Sequence, residues 1–175
     1  MSDLLERVRG SQDIITKIIS KVPGFTGYIE RESRRDSDKL LRVTVADRFE
    51  EQWKRISGIQ RDLISQGDIE QVSSLEAAAL KLRQFIDRVR TASYGYAGFF
   101  DPLKINEEEL ARIYEHDLAL LGSVDAVSNA VGNVEASLGT DGFPASVRHL
   151  TSVSQDCLDA FNRRNEAMSG GVESQ

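Results

Sequence analysis

The side chains best suited to catalysis are two histidines, His116 and His149, and one cysteine, Cys157. Neither histidine has a glutamate three residues before it, so the Glu-x-x-His ligand pairs of di-iron helical bundles are absent. His149 and Cys157 would lie about 12 Å apart along one helix, too far to form a nucleophile pair there. Cys157 is expected to be a small core residue. The sequence therefore predicts no catalytic residue, no metal site and no cofactor, and it identifies no small-molecule substrate. The protein is predicted not to be an enzyme.

Asp117 is the one acidic residue in a long apolar stripe. The stripe advances by three and four residues, which is the 3.5-residue period of a packed helical seam, through Leu110, Ile113, Asp117, Leu120, Val124, Val127, Val131, Val134 and Leu138. A buried carboxylate must be paired or hydrated. The favoured interpretation is a structural pair with an arginine of the second or third helix. The alternatives are a proton-transfer carboxylate near His116 or Tyr114, or an exposed residue beside a misplaced seam.

Length, charge and cysteine content limit the protein class. The chain has 175 residues, a net charge of −6 and one cysteine. We expect one domain over residues 1–168 and a disordered tail over 169–175. The acidic balance argues against a nucleic-acid partner. The single cysteine, and the lack of a secretory signal pattern or a long apolar run, favour a cytoplasmic location.

Glycine, proline and aromatic residues cluster in three loops, and the chain between them has helical periodicity. We predict an all-α, antiparallel up-and-down bundle of about five helices. Their approximate bounds are 3–21, 29–66, 69–92, 106–138 and 145–168. Gly67 is the predicted cap of the second helix, and Asp68 with Gln71 resembles a capping box that starts the third.

In such a bundle, the first loop and the third-to-fourth loop lie at the same end. Aromatic residues of both loops would meet there: Phe25, Tyr28, Tyr94, Tyr96, Phe99 and Phe100. One interpretation is a plug over the open end of the core. The other is an exposed docking patch, since aromatics dominate interface hot spots. The two can coexist, with Tyr94 and Phe99 buried and Tyr96 and Phe100 presented.

The segment "YIERESRRDSDKLLR", residues 28–42, is rich in charge beside this end. Glu30–Arg34, Arg34–Asp38 and Asp38–Arg42 are spaced for ion pairs along a solvated helix face. The alternative is an arginine patch that grips an acidic partner or phosphates. The predicted partner-binding residues combine both features: Tyr28, Arg31, Arg34, Arg35, Tyr96, Phe99 and Phe100.

The stretches "GYIERESRRDSDKLLR" and "YGYAGFFDPLKINEEELARIYEHDLALL" carry a resemblance to a known family. They are similar to an uncharacterised family of small helical prokaryotic proteins that share GY-x-x-RE-x-RR-x-x-DK and YGY-x-GFFD motifs. The similarity covers roughly residues 23–121. It implies a shared fold and no named chemistry.

The resulting prediction is a protein that works by binding another protein, or itself, as a scaffold or assembly unit. The alternative is a peripheral membrane protein of an envelope or stress context. Its amphipathic first helix, residues 3–22, would lie on an anionic bilayer surface. An enzyme of unknown type is the third hypothesis. The short first helix would leave part of the second uncovered, which favours a partner or a second copy there.

Overall fold

The structure is a computed structural model that describes residues 2–92 and 107–170, with the side chains of 9–30, 32–92 and 107–168. Over these residues the protein is all-α and has no strand. Its elements are α1 (Ser2–Lys21), a 3-10 turn (Arg31–Ser33), α2 (Arg34–Ser65), α3 (Ile69–Thr91), α4 (Glu107–Ser137) and α5 (Phe143–Gly170). The prediction of an all-α fold with about five helices is confirmed. Helix α5 continues two residues beyond its predicted end, and residues 171–175 of the predicted tail lie outside the described chain.

Helices α2 and α3 are joined by a tight turn that the sequence predicts. Gly67 has φ +78°, in the left-handed region that favours glycine, and Asp68 N–H donates to the Leu63 carbonyl at 3.0 Å. The Asp68 side chain accepts a hydrogen bond from the backbone N–H of Gln71, which makes it the N-cap of α3. The predicted boundary between these helices is confirmed.

The contacts between helices define their order and direction. Helix α2 packs against α3 and α4, and α5 packs against the same two helices. Asp47 pairs with Arg90 while Gln60 bonds Glu76, so α2 and α3 run in opposite directions.

Helices α3 and α5 instead run in the same direction. Lys81 bonds Gln155, and seven residues further along α3 Arg88 bonds Asn162. Helices that are neighbours in space are therefore not all antiparallel to each other. The consecutive helices α3 and α4 each pack mainly against α2 and α5.

The core is one cluster of buried apolar residues that runs the length of the bundle. The predicted seam of α4 forms part of it, since Ile113, Leu120 and Val127 are buried and Leu110 packs at its edge. Three rings tie the other helices together. Phe85 of α3 lies 4.4 Å from Phe49 of α2 and 6.0 Å from Phe161 of α5, measured between ring centroids.

Helix α1 packs against α4 through its apolar side. Ile18 is fully buried, as is Val22 just beyond the helix, and Ile14 and Ile15 pack against the core, whereas Ile19 is exposed. None of the described helices combines the length and apolar character needed to cross a bilayer.

Candidate functional site

The predicted docking residues of the second helix divide into buried and exposed ones. Tyr28 is fully buried and Arg34 is 8% exposed, so neither presents a surface to a partner and the docking role predicted for them is corrected. Arg35 is exposed and Arg31 begins the 3-10 turn. The α-helix starts at Arg34, about five residues later than predicted, because the preceding segment carries Tyr28 into the core.

The other three predicted docking residues, Tyr96, Phe99 and Phe100, lie outside the described residues, as does Tyr94. Of the aromatic residues expected to meet at this end, the structure describes Phe25 and Tyr28. Their rings lie edge to face with centroids 5.5 Å apart, and Tyr114 of α4 stacks on Tyr28 at 5.1 Å. Sequence reasoning mentioned Tyr114 only as a neighbour of Asp117 and missed it as a partner of this cluster.

Tyr28 is held by its backbone as well as by its ring. Its N–H donates to the Tyr114 hydroxyl at 2.7 Å, and its carbonyl accepts from Arg34 Nε at 2.6 Å. Gly27 has φ +85°, and a Cβ built there would lie 2.7 Å from the Tyr114 hydroxyl. Glycine is therefore required at position 27 for both conformation and space. The segment is fixed from the inside of the bundle.

An ionic network lies beneath Tyr28 and connects three helices. The Tyr28 hydroxyl donates to Asp117 Oδ2 at 2.5 Å. Arg164 of α5 donates from Nε to Asp117 Oδ1 at 2.7 Å and from Nη2 to Asp38 Oδ1 at 2.5 Å. Arg164 and Asp117 are fully buried and Asp38 is 3% exposed. One cation thus bridges two carboxylates that come from different helices.

Arg42 completes the network and extends it to a fourth helix. Its Nε donates to Asp38 Oδ2 at 2.8 Å, and its Nη1 donates to the carbonyls of Val89 at 3.0 Å and Arg90 at 3.4 Å. These carbonyls belong to the last turn of α3, where a cation is favoured by the helix dipole. Two arginines therefore balance two aspartates at one end of the bundle, which we call the network end. The end with the α2–α3 turn is the turn end.

Burial and charge act on the protonation states in this network. Burial raises the pKa of the Asp117 carboxyl, although Arg164 and the Tyr28 hydroxyl oppose that shift. Burial, assisted by Asp117, raises the pKa of the Tyr28 hydroxyl well above its ordinary value. Burial disfavours the charge on Arg164, but two adjacent carboxylates raise its pKa well above normal. The pKa shifts of these two partners favour different forms. Two carboxylates beside Arg164 favour its charged form, whereas burial of Asp117 outweighs the effects of Arg164 and the Tyr28 hydroxyl and favours its neutral form. Tyr28 keeps its proton and Arg164 keeps its charge.

The interpretation of Asp117 as a buried structural pair agrees with this geometry, but the predicted partner is wrong. The arginine comes from the fifth helix and not from the second or third. The ion pairs predicted for a solvated face of the second helix need correction too, since the Asp38–Arg42 pair is buried, with side chains 4% exposed.

A sequence signal for Arg164 does exist. It occupies an apolar position in the buried stripe of α5, which follows the same three-and-four spacing through Val147, Leu150, Ser154, Cys157, Phe161, Arg164 and Met168. Asp38 similarly lies three residues before Leu41, the first apolar residue of the α2 stripe. Opposite charges at seam positions make Arg164 a candidate partner of Asp117 and Asp38, although the spacing alone does not align α5 with the other two helices.

Two of the side chains considered for other chemistry, Cys157 and His149, are not members of this network. Cys157 is buried, and burial raises its pKa to about 12, so its thiol is inert near neutral pH. His149 is exposed at the turn end, along a shallow groove of about 490 Å³ that Asn133, Thr140 and Ser146 also line. Across the described part of the chain, no group of three potential ligands could hold a metal ion.

Comparison with protein-family models, with curated proteins and with solved structures found no match. The similarity to the helical prokaryotic family stays a prediction. The function is therefore inferred from the contacts and exposures of this chain.

Proposed function

We propose that the protein works by binding another protein at the network end, as a scaffold or assembly unit without catalysis of its own. The observation that carries this proposal is the exposure of Ile29. At 70%, it is the most exposed large apolar side chain among the described residues. It directly follows Tyr28, which is fully buried.

The anchoring of Tyr28 prepares Ile29 for binding. The backbone on its N-terminal side is bonded to Tyr114 and Arg34, and the Tyr28 hydroxyl is bonded to the ionic network. An apolar side chain on a fixed segment loses little conformational freedom when a partner covers it. Arg35, exposed at the start of α2, supplies the residue type that interfaces favour for charged and planar contacts.

A binding role fits the chemistry of the site better than a catalytic role. Asp117, Arg164 and Cys157 are buried where no substrate could reach them. The exposed residues Ile29 and Arg35 provide contact surface and charge but no acid, base or nucleophile. We therefore place the partner-binding surface on Ile29 and Arg35, in place of the buried Tyr28 and Arg34.

The membrane alternative depends on α1. Ile18 and Val22 are fully buried against the bundle, so membrane binding through them would require α1 to detach and expose the core beneath it. Ile19 and Lys17 remain on the outer side of the helix. Packing of α1 favours the binding proposal, and vesicle binding separates the two hypotheses.

Site-specific photo-crosslinking in the native cell tests the proposal. A benzophenone amino acid is placed at position 29, and in a matched control at position 64, because Ile64 is 54% exposed at the far end of α2. We expect one specific cross-linked protein from position 29 that is absent from position 64. Arg35→Glu should abolish that product, whereas Arg61→Glu, on the exposed surface near position 64, should not. Helical melting is first shown to be unchanged in all variants.

Two outcomes would overturn the proposal. The first is the same set of products from positions 29 and 64, which would mean that Ile29 has no specific partner. The second is flotation of the protein with phosphatidylglycerol vesicles that salt reverses and that Lys17→Glu abolishes, together with no protein product from position 29. That result would assign the function to α1 and the membrane surface.

A further inference from the structure

The outward face of α3 has a stripe of exposed residues, in which Asp87 is charged and pairs with Arg83 at 3.3 Å. Its uncharged members are Ile69, Ser73, Ala77, Leu80 and Gln84. At 100° per residue these five positions fall within about 80° of the helix circumference. Ile69 and Leu80 are each 60% exposed. Since α3 packs against α2 and α5 through its other sides, the stripe faces solvent.

Charged residues border this stripe on both edges. One edge carries Glu76 and Arg83, and the other carries Glu70 and Arg88. When two copies of one helix pack antiparallel, each edge meets the same edge of the second copy. Glu76 would then face Arg83 of the second copy when the two-fold axis passes between residues 79 and 80. Glu70 would face Arg88 of the second copy when the axis is level with residue 79. Two independent charge pairs thus select nearly the same axis.

The uncharged residues of the stripe fit the same arrangement. With the axis near residue 79, Leu80 lies beside Leu80 of the second copy and Ser73 lies opposite Gln84. Ile69 lies opposite Thr91, which is exposed at the end of α3. At a rise of about 1.5 Å per residue, all these pairings agree on the axis position to within about 1–2 Å. A stripe with this symmetry is complementary to itself.

The bordering charges remain available for such pairing. The bonds of Arg83 to Glu50 and Asp87 are 3.4 and 3.3 Å long, and its side chain is 39% exposed. Arg88 is exposed and bonds Asn162 at 3.5 Å. Glu70 and Glu76 are exposed, and Glu76 Oε2 accepts a hydrogen bond from Gln60 at 2.9 Å. The contacts of Arg83 and Arg88 are long enough to be exchanged for closer pairs with a second copy, whereas Arg83 of the second copy would share Glu76 with Gln60.

We infer that two copies of this chain associate through α3, packed antiparallel about a two-fold axis near residue 79. The overlap from Ile69 to Thr91 is about 33 Å long and one helix wide. This is at the low end of interface sizes, so the dimer should be reversible, with a Kd in the micromolar range. The inference is independent of the proposed function, since the α3 surface shares no residue with Ile29 and Arg35. Antiparallel packing would direct the two network ends away from each other and so give a two-headed assembly.

A charge-complementation experiment tests both the surface and its direction. In Glu70→Arg, positions 70 and 88 both carry arginine, and in Arg88→Glu both carry glutamate. We expect sedimentation velocity to show a dimer for the wild type, and each variant alone to dimerise at least about tenfold more weakly because like charges face each other. A mixture of the two variants should recover wild-type affinity, since both facing pairs are then of opposite sign.

The control is Lys54→Glu, which changes the charge of an exposed residue on α2 and should leave dimerisation unchanged. Misfolding cannot mimic recovery in the mixture, and melting of each variant is compared with that of the wild type. A wild-type chain that stays monomeric up to about 0.5 mM would overturn the inference. So would two variants that dimerise as well as the wild type, or a mixture that does not recover. The weakening of each variant alone is specific to the antiparallel register, because a parallel pair would bring residue 70 beside residue 70 and residue 88 beside residue 88, so that the wild type and both variants would all face like charges.

Discussion

The two ends of the bundle are held by different kinds of interaction. At the turn end, α2 and α3 are joined by backbone hydrogen bonds and one side-chain cap between residues at most five positions apart. At the network end, Arg164 bonds Asp38, which lies 126 residues away in the chain. The turn end is determined locally, and the network end forms only when α2, α4 and α5 are all in place. Local signals can be identified from the sequence, whereas the partners of a buried charge depend on the whole fold.

The difference also has an energetic side. A capped turn satisfies helix-end groups that water would otherwise solvate, so each part of it contributes modestly. A buried network holds charges that have lost their hydration, so removing one member leaves the others uncompensated. Single substitutions should therefore affect the network end far more than the turn end.

The largest expected effect follows from removing the cation at the centre of the network. Arg164→Met leaves Asp117 and Asp38 buried without their shared partner, and we expect a loss of about 3–5 kcal/mol in the free energy of unfolding. Urea unfolding followed by circular dichroism measures this loss. Arg163→Met, at the exposed neighbouring position, should stay within about 0.5 kcal/mol of the wild type. Equal effects of the two substitutions would show that the network does not determine stability.

Two glycines allow the ends to be compared with the same substitution. Gly67 and Gly27 both have positive φ, but a Cβ at Gly67 meets nothing within 4 Å. Gly67→Ala should cost about 1–2 kcal/mol from backbone conformation alone. Gly27→Ala should cost about 1–3 kcal/mol more, because its Cβ would overlap the Tyr114 hydroxyl.

Tyr114→Phe provides the control for this steric argument. In the Gly27→Ala background it removes the overlapping oxygen, so the double variant should lose less stability than the two separate losses combined. Thermal or urea unfolding of the four proteins completes the cycle. Strict additivity would indicate that the Tyr28 segment shifts away from Tyr114 and that the hydroxyl does not confine it.

The pH dependence of stability distinguishes Asp117 from an exposed carboxylate. Its folded-state pKa is raised by burial, so the folded protein binds this proton more tightly than the unfolded chain does. The stability that Asp117 contributes is therefore greatest below its unfolded pKa of about 3.9 and falls as pH rises to the folded-state value.

Comparison with Asp117→Asn isolates this effect. The stability of the wild type relative to the variant should fall by up to about 1.4 kcal/mol per pH unit within that window and stay constant above it. Urea midpoints between about pH 3 and pH 7 measure it. A wild-type advantage that instead grows with pH would mean that pairing with Arg164 outweighs burial.

The same contrast explains which features could be predicted from the sequence. The periodicity of apolar residues is sufficient to predict the helices, and the Gly67–Asp68 pattern is sufficient to predict the boundary between α2 and α3. The burial of Asp117 followed from its place in an apolar seam. The partner of Asp117 could not be predicted in this way, because Arg164 lies on a helix whose alignment with α4 is a tertiary property.

The predicted docking residues show the same limit at closer range. Arg34 and Arg35 are adjacent in the same charged segment, yet Arg34 is buried and Arg35 is exposed. Their difference is set by the helix start, which follows from the inward position of Tyr28. Tyr28 in turn depends on Tyr114, 86 residues away. No local pattern carries that information.

The smallest expected effect concerns the cap at the turn end, where the sequence was most informative. Asp68→Ala removes the acceptor of the Gln71 N–H, and we expect a loss of about 1 kcal/mol in the free energy of unfolding. Asp68→Ser keeps a side-chain oxygen at the N-cap and should lose only a few tenths of that amount. Both losses are measured by urea unfolding beside the Arg164→Met variant. If serine and alanine were equally destabilising, the carboxylate would act through its charge at the helix dipole, and the turn end, like the network end, would depend on electrostatics.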